Sequence, residues 1–246
     1  MEYWLVAPPL RRHRTMSNEI KISPASLSAI EAFHDLPSSD FEAISQLLKA
    51  KNYQANQHMI TLGENTRDVF FIISGTVRIT TFTASGKEVS FRDMHAGQML
   101  GELSAIDGQK RSTNVVALTE SVVAGVHADV FFNLLSDYPQ VNKFVLRQLT
   151  GLIRKLGDRI VEFSALSVKS RIHAELLRLA RNNKLNDNAA EIIPAPTHQD
   201  IANRISTHRE AVSREVSELN KKGIIKRNEG KLHIKDISKL EELLEK

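Results

Sequence analysis

The chain has 246 residues, 41% of them hydrophobic and 25% charged, with no cysteine and a net charge of +4. This length suits two domains, and these are globular values that speak against disorder or a fibre. The absence of cysteine removes disulfides, thiolate metal sites and cysteine nucleophiles. No apolar run approaches the ~20 residues that span a bilayer.

The N-terminus places its apolar stretch before Arg11, Arg12 and Arg14, the reverse of a secretory signal, so a cytoplasmic protein with a tail over residues 1–22 is expected. Met16 is an alternative start. Charge is uneven along the chain. Residues 1–167 carry 17 basic and 17 acidic side chains, whereas 168–246 carry 16 and 12, which points to an anionic partner for the C-terminal third.

Ser39–Glu42 reads as a capping box, opening a helix with Phe41, Ile44, Leu47 and Leu48 on its inner side. From Tyr53 to Val126, short runs rich in Val, Ile, Phe and Thr are broken by glycines about every ten residues. That texture predicts an antiparallel sandwich or barrel. Ser85-Gly86 reads as a hairpin turn between 77–82 and 88–91.

The run Gly101–Thr113 lies between strands. Its glycines permit a short helical turn whose free N–H groups face an anion. Arg111 can pair with a phosphate, Ser112 can donate a hydroxyl, and Glu102 can accept from sugar hydroxyls. The same residues would equally form a surface loop closed by a Glu102–Arg111 ion pair.

Beyond Asp129 the period becomes helical. Val145, Leu149, Leu152, Leu156, Ile160 and Phe163 form a near-heptad seam on a helix from Gln140 to Phe163, which predicts a homodimer or packing on the chain's own barrel. Residues 164–168 read as a hinge, and 182–190 as a loop after a helix bearing Ile172, Leu176, Leu177 and Leu179.

Thr197–Asp200 opens a short helix with Ile201, Ala202 and Ile205 inside. Thr207–Glu210 reads as a second capping box, Gly223 as a helix C-terminal cap, and Ile224–Ile234 as strand, turn, strand. Together these predict a helix-turn-helix with a β-wing. On its second helix, Val212, Val216 and Leu219 face inward. Arg209, Glu210, Ser213 and Arg214 lie opposite, where such residues meet base edges in a major groove. His208 starts this helix and is counted with them. A solvated surface helix with a Glu210–Arg214 pair is the plainer reading.

Two motifs in two domains carry a resemblance to the bacterial Crp/Fnr regulators over residues 30–235. Gly101–Thr113 is similar to the phosphate-binding cassette of cyclic-nucleotide domains, and Thr197–Val216 resembles the family's helix-turn-helix, with Arg209, Glu210 and Arg214 in its Arg-Glu-x-x-x-Arg pattern. The resemblance implies an α+β fold: a cyclic-nucleotide-binding β-barrel (jelly roll) over 23–137, a dimerisation helix and hinge over 138–166, and a winged helix-turn-helix over 167–246. It implies a transcription regulator, not an enzyme, with cyclic AMP or cyclic GMP as effector and no prosthetic group or metal. Arg111 and Ser112 would hold the cyclic phosphate, Gly101 and Glu102 the ribose, with Leu103, Ser104 and Thr113 beside them. Thr197 and Gln199 would contact DNA phosphates, while Arg209, Glu210 and Arg214 would read TGTGA-like half-sites of a palindrome. RNA polymerase is an implied partner and a membrane is not.

Two departures bear on the effector and the turn. Where cyclic AMP receptors offer a Thr-Ser pair to adenine, this chain has Leu156 and Gly157, followed by Asp158, whose carboxylate could accept from guanine. Ser206 stands where the receptors often have glycine. The same scaffold also admits a haem or gas sensor using His95, His127 or another histidine, or a regulator active without ligand. His127 and Asp129 lack the partners that catalysis requires.

Overall fold

The structure is a computed structural model that describes residues 22–83, 86 and 88–244. The expected tail, apart from Ile22, and the choice between Met1 and Met16 lie outside the described residues, as does Ser85. The chain divides into two compact units, Met1–Gly151 and Leu152–Lys246.

The first unit opens with helices α1 (Pro24–Leu27) and α2 (Phe41–Leu47). The Ser39–Glu42 capping box does not form. Residues Ser38–Asp40 make a 3-10 turn, so Asp40 precedes the helix and Glu42 falls one position short of where a box needs it. The Ser39 hydroxyl donates to Asp40 Oδ1 instead. Phe41, Ile44 and Leu48 are buried as expected, while Leu47 is exposed.

Eight strands follow: β1 (Lys49–Tyr53), β2 (His58–Ile60), β3 (Val69–Ser74), β4 (Thr76–Phe82), β5 (Glu88–His95), β6 (Met99–Leu100), β7 (Asn114–Ala117) and β8 (Ser121–Val126). Helix α3 (Glu102–Asp107) lies between β6 and β7. The strands form two antiparallel sheets, ordered β1-β8-β3-β6 and β2-β7-β4-β5. Side-chain alternation explains the apolar run in β3. Phe70 and Ile72 enter the core between the sheets with Val77, Met94 and Val123. Val69 and Phe71 face the other way, into a second core with Phe33, Phe131 and Val145. A strand covered on both faces needs no polar side. The β4–β5 hairpin has Arg78 opposite Asp93, joined by two hydrogen bonds of 2.7 and 3.1 Å.

Helix α4 (Ala128–Asp137) and the long α5 (Pro139–Ala165) come next, and the division between the units falls inside α5. Val141 and Val145 are buried and Leu149 packs against the same core, so the front of the predicted seam serves the first unit. Farther along, Ile153 is 69% exposed and Ile160 is 67% exposed, with Leu156, Val161 and Phe163 also open.

In the second unit, α6 (Val168–Arg181) follows after only Leu166 and Ser167, and the Ser167 hydroxyl caps it by accepting from the Ser170 N–H at 3.1 Å. Residues 182–190 are not a loop. β9 (Lys184–Asn186) and β10 (Ala189–Ile192) form a hairpin, because β10 finds a second partner farther along the chain. Then come α7 (His198–Arg204), α8 (Arg209–Lys221), β11 (Ile225–Asn228), β12 (Lys231–Ile234) and α9 (Ile237–Glu242). The sheet order is β11-β12-β10-β9, and one core holds Ile172, Leu176, Ile201, Val212, Leu219 and Ile234.

Candidate functional site

In the first unit the predicted ligand run leaves β6 at Gly101, whose φ of +87° only glycine adopts readily. A Cβ there would lie 2.7 Å from the Asp68 carbonyl and 3.0 Å from Arg111 Nη1. This close approach lets the Arg111 guanidinium tuck beneath the turn. Arg111 is 3% exposed. Nε donates to Thr66 Oγ1 at 2.9 Å, Nη1 to the Gly101 carbonyl at 2.9 Å, and Nη2 to the Asp68 carbonyl at 2.7 Å. The guanidinium also lies 5.9 Å from the centre of the Phe70 ring. Burial pushes its pKa down, opposed by Asp68, Glu64 and Glu102. These hydrogen bonds use three of arginine's five N–H groups.

Glu102 is 4% exposed. Burial pushes its carboxyl above the usual range, against its own backbone N–H, Arg92, Gln148 and Arg111. The Glu102–Arg111 ion pair does not form among the described residues, because Arg111 turns to main-chain carbonyls. Ser104 is buried beside Glu102, Leu103 and Ser112 are exposed, and Thr113 is half-buried. The run therefore buries Glu102, Ser104 and Arg111, with half-buried Gly101 bonded to Arg111. Thr66 and Asp68, which hold Arg111, were not singled out in the sequence; nothing in their spacing marks them. Leu156, Gly157 and Asp158 are exposed on α5, in the second unit.

In that unit Thr197 closes a capping box with Asp200. The Thr197 N–H and hydroxyl both donate to Asp200 Oδ2, at 2.8 and 2.7 Å, and the hydroxyl accepts from the Asp200 N–H at 3.0 Å. Gln199 Nε2 donates to Asn203 Oδ1 at 2.7 Å. Ser206 makes the turn at φ +54°, the left-handed conformation that glycine takes more easily. The second box is expected from Thr207 to Glu210. α8 begins one residue later, with His208 in the cap position and no side chain closing it.

Val212, Val216 and Leu219 are buried, whereas His208, Arg209, Glu210 and Arg214 are exposed and Ser213 is half-exposed. Gly223 ends the helix at φ +72°. α8 is fixed from below by Glu215, whose Oε1 lies 2.7 Å from Nε2 of buried His173. Glu175 is a second buried node. Its carboxylate accepts from Arg159 on α5, Arg178 on α6 and Arg204 on α7, while Glu162 accepts from Arg159 and Arg178.

Two comparisons decide the family. A model of the cyclic nucleotide-binding domain matches residues 50–138, and a model of the Crp-like helix-turn-helix domain matches residues 170–243. The chain belongs to the Crp/Fnr family of transcription regulators. This Crp/Fnr regulator is 25% identical over 200 residues to a CRP-like cAMP-activated global transcriptional regulator of Mycobacterium tuberculosis, covering 81% of this chain and 89% of the relative. It is 26% identical to the cAMP-activated global transcriptional regulator CRP of Haemophilus influenzae, over 70% of this chain and 78% of that one. Its fold matches that of a CooA variant from Carboxydothermus hydrogenoformans, with a TM-score of 0.76, 19% identity, and coverage of 88% and 95%.

The family's members are DNA-binding regulators, not enzymes. His127 serves as the cap of α4, accepting from the Asp129 N–H at 3.5 Å, and His95 lies 3.2 Å from the Thr76 hydroxyl. Among the described residues no helix is long and apolar enough to cross a membrane.

Proposed function

We propose that the protein binds a palindromic operator as a homodimer and that a 3′,5′-cyclic nucleotide in the first unit sets its affinity. The observation that carries the DNA reading is the two-sided α8: its apolar side is buried, and Arg209, Glu210 and Arg214 stand exposed, with no hydrogen bond or ion pair among the described residues. Arginine's fork matches guanine O6/N7 and glutamate accepts from cytosine N4, at roughly 1–3 kcal/mol of discrimination each. His208 and Ser213 flank these readers, and Thr197 and Gln199 take backbone phosphates.

For the effector, Arg111 and Ser112 hold the cyclic phosphate, and Gly101 and Glu102 the ribose, with Leu103, Ser104 and Thr113 around them. The burial of Glu102 and Arg111 and the close approach of Arg111 to Gly101 support this reading. Leu156, Gly157 and Asp158 are the base-side residues on the family resemblance. The relatives' names favour cyclic AMP, whereas a carboxylate at Asp158 favours cyclic GMP. Calorimetry with both nucleotides tests this. Tighter binding of cyclic GMP supports the role of Asp158, and markedly tighter binding of cyclic AMP refutes it.

The exposed apolar side of α5 supports dimerisation. Coupling requires the nucleotide to favour the DNA-competent state through contacts that differ between states. RNA polymerase contact in the cytoplasm belongs to the same proposal.

A further inference from the structure

The first unit holds an inward-facing arginine that the phosphate site does not use. In β5, Met94 lies in the core between the sheets, opposite Val77 of β4. Side chains alternate along a strand. Arg92, two residues earlier, therefore shares that inward face, opposite Ile79, which packs against the same core. Asp93 between them turns the other way, to Arg78. Arg92 is half-buried and makes no hydrogen bond or ion pair among the described residues.

The charge that acts on Arg92 is that of Glu102. Burial pushes the guanidinium's pKa down, and the carboxylate opposes it. On Arg111 burial has the same effect, and there Asp68 and Glu64 oppose it ahead of Glu102. Glu102 in turn feels Arg92 more strongly than Arg111. The carboxylate is thus flanked by two guanidinium groups from different elements, one braced beneath the Gly101 turn and one on β5. A 3′,5′-cyclic nucleotide has its parts in a fixed order. The phosphate closes C3′ to C5′, the 2′-hydroxyl comes next, and the base leaves C1′ beyond it. With Arg111 on the phosphate and Glu102 on the ribose hydroxyl, the second guanidinium falls at the base end. Arginine carries five N–H donors and no acceptor. Guanine presents two acceptors, O6 and N7, which the fork meets together, whereas adenine sets a donor, its N6 amino group, beside N7.

We propose that Arg92 reads the O6/N7 edge of a guanine base, so that the effector is a cyclic guanosine nucleotide rather than a cyclic adenosine nucleotide. This rests on the nucleotide-binding role of the first unit and adds a residue from outside the phosphate-binding cassette. It is separate from the role of Asp158, whose carboxylate only accepts and so takes guanine N–H groups on another edge.

The test is calorimetry of the full chain with cyclic GMP, cyclic AMP and cyclic 7-deaza-GMP, in which a carbon replaces N7. The parent is compared with Arg92→Leu, which keeps bulk and removes every donor, and thermal unfolding checks that the variant folds. The expected result for Arg92→Leu is a loss on the order of tenfold or more in cyclic GMP affinity, with cyclic AMP affinity changed by less than about threefold. The parent itself should bind cyclic 7-deaza-GMP more weakly than cyclic GMP, on the order of tenfold. That comparison needs no variant and leaves the Asp158 edge of the base intact. A ratio of cyclic GMP to cyclic AMP affinity that Arg92→Leu leaves unchanged, through equal losses or none, overturns the assignment. So does equal binding of cyclic GMP and its 7-deaza form by the parent. If the parent binds none of the three, the nucleotide reading fails and the Arg92 assignment falls with it.

Discussion

Arg111 Nη2 donates to the main-chain carbonyl of Asp68 at 2.7 Å, with Nη1 on the Gly101 carbonyl at 2.9 Å. The side chain assigned to the nucleotide phosphate is thus also a brace of the fold. Arg111→Ala leaves two carbonyls and the Thr66 hydroxyl without their donor. These acceptors are half-buried or exposed, so water meets part of the loss. Urea unfolding without nucleotide is expected to show Arg111→Ala less stable by about 1–3 kcal/mol, and calorimetry to show weaker nucleotide binding. A variant as stable as the parent would mean that the brace carries no load.

Glu102 gives a pH dependence of definite sign. Its folded-state pKa lies above the ordinary 4.5. The native state therefore holds more protons than the unfolded chain just above that value, and stability from this group falls as pH rises through the window. Above that window the charged carboxylate carries the burial cost. Glu102→Gln removes it, so the nucleotide-free variant should melt above the parent at mildly alkaline pH. The difference should shrink toward pH 4.5. Nucleotide affinity should fall on the order of tenfold with the lost carboxylate. A melting advantage that grows on acidification would contradict this.

Glu175 joins three helices. Its side chain is 2% exposed and accepts from arginines on α5, α6 and α7. Removing the buried carboxylate loses its bonds to three arginines, but Arg159 and Arg178 keep Glu162, so the loss falls below the roughly 3–5 kcal/mol of a stranded buried pair. Glu175→Gln should lower the urea midpoint accordingly, with an unchanged slope. A shift below about 1 kcal/mol would place the cluster with ordinary surface pairs.

The exposed side of α5 predicts a partner helix. Ile153→Glu with Ile160→Glu removes buried apolar surface twice over in a two-fold dimer. Sedimentation equilibrium should show the dimer weakened at least about a hundredfold. A dimer of parent strength in the double variant would move the interface elsewhere.

Much of this was legible because local pattern and global fold agree. The apolar run at Val69–Ile73, the glycine turns and the two-sided helix at Arg209–Lys221 each announce themselves within a few residues. The misreadings came where a boundary moved by one position. The 3-10 turn at Ser38–Asp40 cancels a capping box that spacing alone allows, and α8 starts one residue later than expected. The strands within 182–190 escaped notice because β10 is made by pairing with β12, more than forty residues away. The Arg111 brace and the Glu175 node depend on contacts between distant segments, which no local pattern encodes.

The central claim is that cyclic nucleotide controls operator reading. It is tested most directly by the Kd for a TGTGA-type palindrome and for a scrambled duplex, at one salt concentration, with and without saturating cyclic AMP or cyclic GMP. The account predicts that one nucleotide tightens binding to the palindrome by about 5- to 150-fold, with little change on the scrambled duplex. Equal affinity for the palindrome with either nucleotide and without would contradict it.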